Sequence, residues 1–134
     1  MRRTVFVGMA LVAASLAIGC SPVTSPLDVS GLYSLKTING AALPAVISQA
    51  GATTITVWND AFTLTPSGTY SEQGYKSSTT SGVTSISYPI DAGNFTRLDN
   101  AITLESLIVG ARPATLSNGT LTVVDNGLTL VYQK

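Results

Sequence analysis

The 134-residue chain contains no histidine, one cysteine and one tryptophan, and charged residues make up only 10% of it. Each scarcity removes a class of chemistry. Without histidine there is no Ser-His-Asp or Cys-His catalysis, and the commonest metal ligand is missing. Seven Lys or Arg balance seven Asp or Glu, so there is no basic stripe of the kind that binds nucleic acid. Paired carboxylates would suffice for glycoside hydrolysis. Yet Asp60, Asp91, Asp99 and Asp125 fall in predicted turns, where Asp hydrogen-bonds its own backbone. Glu72 and Glu105 fall at strand positions opposite the apolar face, where solvation is their role. The expectation is a non-enzyme with no cofactor.

The lone cysteine has a telling place. Arg2 and Arg3 give a positive start, Val5 to Ile18 is an uncharged apolar stretch, and Gly19 is a small residue at its end. That order of charge, apolar core and small residue marks a secretory signal peptide. The stretch is shorter than the roughly 20 residues that span a bilayer as a helix. Cys20 follows at once, and "LAIGC" resembles the lipobox of bacterial lipoproteins. Leu16 stands four positions before the cysteine, and Ala17 occupies the third position, where Leu is commoner. The resemblance implies cleavage before Cys20 and acylation of its thiol and of the new amino end. It also accounts for an unpaired cysteine in an exported chain, and more than one acyl chain gives stable anchoring. In that family Ser21 favours the outer membrane, with the protein facing the periplasm. Residues 1–19 are then a signal peptide, and 20–28 are the lipidated cysteine and a Ser/Pro tether of extended backbone. Residues 29–134 form one domain able to bury a single core. Loss of Arg2 and Arg3 leaves five Lys or Arg against seven Asp or Glu, a net charge of −2.

The rest is written in short segments, such as "GLYSLKTI", "TTITVW", "GTYSEQGY", "GVTSISYPI", "TLTVV" and "LTLVYQ". They are rich in Thr, Val, Ile, Leu and aromatics, and they alternate apolar with polar, which is the signature of half-buried strands. Asn39-Gly40, Ser67-Gly68, Ser81-Gly82, Ala92-Gly93, Asn118-Gly119 and Asn126-Gly127 read as tight turns between antiparallel neighbours. "AALPAVISQ", residues 41 to 49, reads as a loop or one short helix, because Pro44 discourages a regular strand. "LIVGARPA", residues 107 to 114, could be a loop. The expected fold is an all-β, antiparallel up-and-down barrel of eight to ten strands, since closure removes exposed edges. A two-sheet sandwich is the alternative, but its longer Greek-key connections fit the tight turns less well.

"GLYSLKTINGAALP", "LTPSGTY", "GNFTRLDNAITL" and "NGTLTVVDNGLTLVY" together resemble the small lipocalin-like domains of bacterial lipoproteins. The resemblance covers nearly all of residues 29–134 and implies a lipocalin-like barrel. Pro66-Ser67 replaces the Asn or Asp turn common there, and Arg97 takes a place usually held by an apolar residue.

Three function classes follow. One is a membrane-anchored envelope binding module, a monomer holding a small apolar or amphipathic ligand. The alternative is a structural or interaction lipoprotein with a solid barrel core and a protein partner in the cell envelope. Catalysis is the weakest. Interior volume separates the first two, since a small barrel can be filled by its own side chains. In the binding reading, Tyr33, Tyr70, Tyr88 and Phe95 line a cavity and Arg97 stands at its rim, orienting an acidic amphiphile such as a fatty acid. The simpler arrangement has a local bulge turning Arg97 to solvent. "DAGN" at 91 to 94 and "DNG" at 125 to 127 carry oxygen ligands, but the spacing of an EF-hand loop is absent, so metal binding is not expected.

Overall fold

A computed structural model describes residues 29–134. Residues 1–28, expected to hold a signal peptide, the lipidated Cys20 and a tether, lie outside the described residues. Eleven strands follow in order: β1 (Gly31–Ile38), β2 (Ala41–Ala42), β3 (Ala45–Ala50), β4 (Thr53–Leu64), β5 (Thr69–Thr80), β6 (Val83–Ser87), β7 (Ile90–Leu98), β8 (Ala101–Ser106), β9 (Gly110–Ser117), β10 (Thr120–Asp125) and β11 (Leu128–Gln133). Every pairing is antiparallel. Eight of the strands close on themselves in the order β1, β4, β5, β7, β8, β9, β10, β11 and back to β1. The protein is therefore an all-β, closed eight-stranded barrel, with β2, β3 and β6 outside the wall.

The turns follow from residues that accept positive φ. Asn118-Gly119 and Asn126-Gly127 have φ of 49° and 75°, and 47° and 79°. Both central residues are left-handed, as a two-residue hairpin with the strands' own twist requires. Ala92-Gly93 behaves otherwise and lies inside β7. There a Cβ on Gly93 would come within 2.0 Å of the Glu105 carbonyl oxygen, so this glycine permits close approach of two strands rather than a turn. The turn after β7 is made instead by Asp99 and Asn100, with Asp99 at φ 54°.

The segment 41 to 49 is not a helix. It forms β2 and most of β3, and Pro44 falls in the gap between them, where no ladder bond is needed. The segment 107 to 114 is likewise a turn and then strand, since β9 starts at Gly110. Its proline is tolerated because β10 pairs with β9 only from Ala114 onward.

β4 and β5 are twelve residues long and serve two structures. Their inner ends, Ala61 to Leu64 and Thr69 to Gln73, pair with β1 and β7 in the wall. Their outer ends pair with β3 and β6, so the hairpin continues beyond the wall as a flap of four strands, ordered β3, β4, β5, β6. A bulge between Val57 and Asn59 marks the passage from one to the other. It turns Trp58 outward, where the indole donates to Ser77 Oγ at 2.8 Å.

Inside the wall the period of two sends one face of every strand to the core. Tyr33, Phe62, Leu64, Ile102, Leu104, Leu121, Val123 and Tyr132 are fully buried. The middle is filled by rings: Phe62 meets Tyr132 edge-on at 5.0 Å and Tyr70 tilted at 5.7 Å. Aromatic pairs in this geometry add to their hydrophobic burial.

Candidate functional site

Two polar constellations stand at opposite ends of the barrel. At the end where β7 and β9 begin, β9 sends Arg112 inward from a position opposite Leu104. Its guanidinium side chain is only 7% exposed. One terminal nitrogen donates to Glu72 Oε2 at 2.7 Å and to Asp91 Oδ2 at 2.8 Å. The charged plane lies over the Phe62 and Tyr70 rings, 5.3 and 6.0 Å from their centroids, which supplies attraction where water is excluded. Asp91 also accepts from the Tyr70 hydroxyl at 2.8 Å and from Ser106 Oγ at 2.6 Å.

The cluster extends to Asp60. That carboxylate is buried in β4, with Oδ1 accepting from the Ala61 amide at 2.9 Å and Oδ2 from the Tyr132 hydroxyl at 3.0 Å. Burial and then the neighbouring Glu72 push its carboxyl up to about 7, so it exchanges a proton near neutrality. Asp91 moves the other way. Burial pushes it up, but Ser106, Tyr70, the Ala92 amide and the charge of Arg112 outweigh that and hold it below the usual carboxylate range. The Tyr132 hydroxyl is pushed up by burial and by Asp60. A recess of about 120 Å³ reaches these groups past Lys76, Pro89, Ile90, Val109 and Asp125. Chemically the cluster is an electrostatic clamp joining β4, β5, β7, β8, β9 and β11, and its titrating member is Asp60.

At the other end, where β1 begins and β11 finishes, a pocket of about 370 Å³ is lined by Tyr33, Arg97, Asn100, Leu116 and Lys134 among others. β7 keeps an unbroken register with β8 from Gly93 to Leu98, and Arg97 lies opposite the buried Ile102. No bulge turns it away. Arg97 therefore stands on the inward side at the mouth, with its Nε donating to the Asp99 carbonyl. Tyr33 closes the floor, and its hydroxyl donates to the Val29 carbonyl at 2.7 Å.

The residues anticipated around a single cavity are thus divided. Tyr33 and Arg97 meet at the mouth, and Phe95 is half-buried against the core on the same face of β7. Tyr70 belongs to the Arg112 cluster. Tyr88 joins neither: it is 68% exposed and stacks on Tyr75 at 5.4 Å on the flap. The reason is that it follows directly on β6, which pairs only with the outer part of β5, away from the wall.

Sequence reasoning missed the Arg112 cluster altogether. Asp60 and Asp91 are strand residues rather than turn residues, and Glu72 faces in, with its side chain 14% exposed. One signal was available: Glu72 lies two residues from Tyr70, so the face that holds the tyrosine must hold the glutamate. Among the described residues, no group of three or more Asp, Glu, His or Cys is placed to hold a metal ion. Comparison with protein-family models, with curated protein sequences and with solved structures gives no match.

Proposed function

We propose that the protein is an exported, lipid-anchored and non-catalytic envelope protein, whose barrel is a solid interaction scaffold rather than a ligand container. The observation that carries this reading is the filled middle of the barrel. Phe62, Tyr70, Tyr132 and their aliphatic neighbours occupy the space an internal ligand would need, as eight-stranded barrels of this size allow. The ion cluster ties six wall strands together, which suits a rigid platform. The lipid anchor rests on the lipobox-like "LAIGC".

The mouth pocket favours a second reading. Its volume lies at the low end of the roughly 300 to 1,000 Å³ typical of small-molecule sites, and Arg97 and Lys134 offer positive charge beside Tyr33. Such a mouth suits the acidic head of a small amphiphile, held outside the plug.

Two measurements test these readings. Cys20→Ala should abolish incorporation of labelled fatty acid and move the chain from the membrane to the soluble fraction; unchanged membrane association overturns the anchor. Titration with fatty acids and their neutral analogues should give no saturable binding if the barrel is a scaffold alone. Saturable binding of the acids that is lost in Arg97→Ala establishes the mouth as the site. Saturable binding that ignores both ligand charge and Arg97→Ala points to an interior cavity and overturns both.

A further inference from the structure

The flap ends in two edge strands, and they are built differently. β3 pairs with β4 through a register shift between Val46 and Ser48. Such a bulge twists an edge and blunts it as a template for further pairing. β6 has no such device. It pairs with β5 in unbroken register from Lys76 opposite Ser87 to Thr80 opposite Val83, and no other strand covers its second side among the described residues. All five of its residues are exposed, with Val83 at 74%.

The chemistry of that edge is as permissive as its geometry. From Ser77 to Ile90, "SSTTSGVTSISYPI", there is no charged residue. Natural edge strands commonly discourage pairing with Lys, Pro or an inward charge. Here the only proline is Pro89, beyond the strand's end, so it limits the length of a new ladder without blocking it.

We propose that β6 is a strand-addition edge and that its partner is β6 of a second copy of this chain, antiparallel across a twofold axis. This goes beyond the scaffold reading, departs from the monomer expected of the sequence, and stands or falls separately from both. The one register that uses the whole strand places Ser85 opposite Ser85, Val83 opposite Ser87 and Thr84 opposite Ile86. Residues directly opposite share a face, so each apolar side chain meets a small hydroxyl residue, with neither a clash nor a like charge. Lys76, the nearest charge on β5, sits opposite Ser87. The two copies' Lys76 side chains would therefore stand at opposite ends of the paired strands, about 20 Å apart and beyond the screening length of physiological salt. Each copy presents one such edge, so the contact is self-complementary and closes as a dimer.

Cysteine cross-linking in the full chain tests both partner and register. On mild oxidation, Ser85→Cys should give several-fold more cross-linked dimer than Thr103→Cys, which places the thiol on the outer face of the barrel wall, with the wild-type chain correcting for Cys20. Val83→Cys and Ser87→Cys should cross-link to each other when co-expressed and not to themselves, because like positions lie about 13 Å apart along the ladder and beyond disulfide reach. Adding Ile86→Lys to Ser85→Cys should remove the dimer band. Equal bands from Ser85→Cys and Thr103→Cys, self-linking by Val83→Cys, or products larger than a dimer would overturn the proposal.

Discussion

Arg97 and Arg112 are both carried on the inward face of a wall strand, yet they live in different media. Arg97 stands at the mouth beside the end of β7, and its Nε donates to the backbone carbonyl two residues on. Arg112 lies within the barrel, between two carboxylates and over two aromatic rings. What separates them is depth along the strand and what the neighbouring strands bring. β5 and β7 supply Glu72 and Asp91 to one arginine, whereas the other meets Asn100, Leu116 and Tyr33. An inward position therefore does not fix an arginine's role. A charge well inside the wall needs partners, because desolvation without them is costly, while one at the rim keeps its water.

The sharpest way to break this contrast is to remove the buried arginine. Arg112→Ala leaves Glu72 and Asp91 desolvated without their counter-charge and should cost about 3 to 5 kcal/mol, read from urea unfolding. A cost below about 1 kcal/mol, the size expected of a surface ion pair, would erase the distinction between the two ends.

The next effect concerns protons. Asp60 binds its proton more tightly in the folded chain, at about 7, than at the ordinary value of 3.8. Between those values the folded state holds more protons than the unfolded one, so its stability falls as pH rises. The loss from pH 4 to 8 should be on the order of 3 kcal/mol, and Asp60→Asn should flatten it. Asp91, lowered by its partners, acts in the opposite sense. Its contribution is present above its unfolded value and is lost only in more acidic solution, as pH falls through its folded value. Unfolding midpoints across this range in both proteins check the sign. A wild type that gains stability from pH 5 to 8 relative to Asp60→Asn would refute the assignment.

The smallest effect belongs to the mouth. Arg97→Ala should change stability by no more than about 1 kcal/mol, since its half-buried side chain bonds a backbone carbonyl at the rim, where water can take over the bond. Any larger effect, read from the same denaturation curves, would show that the mouth is a structural seal like the opposite end.

Much of the strand pattern was legible because period-two alternation and Asn-Gly pairs are local signals. Tyr33 with Leu35 and Phe62 with Leu64 fall on the core face, as their spacing requires. Three of the errors share one cause. "WND" around Asp60, "DAG" around Asp91 and "ARPA" around Arg112 carry turn residues, but each lies in a strand with neighbours that hold it extended. Local turn chemistry lost to the ladder with one neighbouring strand, Gly74 opposite Asp60, Glu72 opposite Asp91 and Leu104 opposite Arg112. The candidate site was less legible, since its four charged members are contributed by four strands far apart in sequence.

By itself the sequence determined the all-β class, the hairpin turns and the inward face of most strands, because each depends on residues within a few positions of one another. Only the tertiary structure decided that the wall closes through β1 with β4 and β11, that Tyr88 lies outside it, and which charges meet within it. Those outcomes depend on which strands become neighbours. An inward Glu72 or Arg112 costs desolvation in any single strand, and becomes tolerable only where closure of the barrel brings opposite charges to within hydrogen-bonding distance.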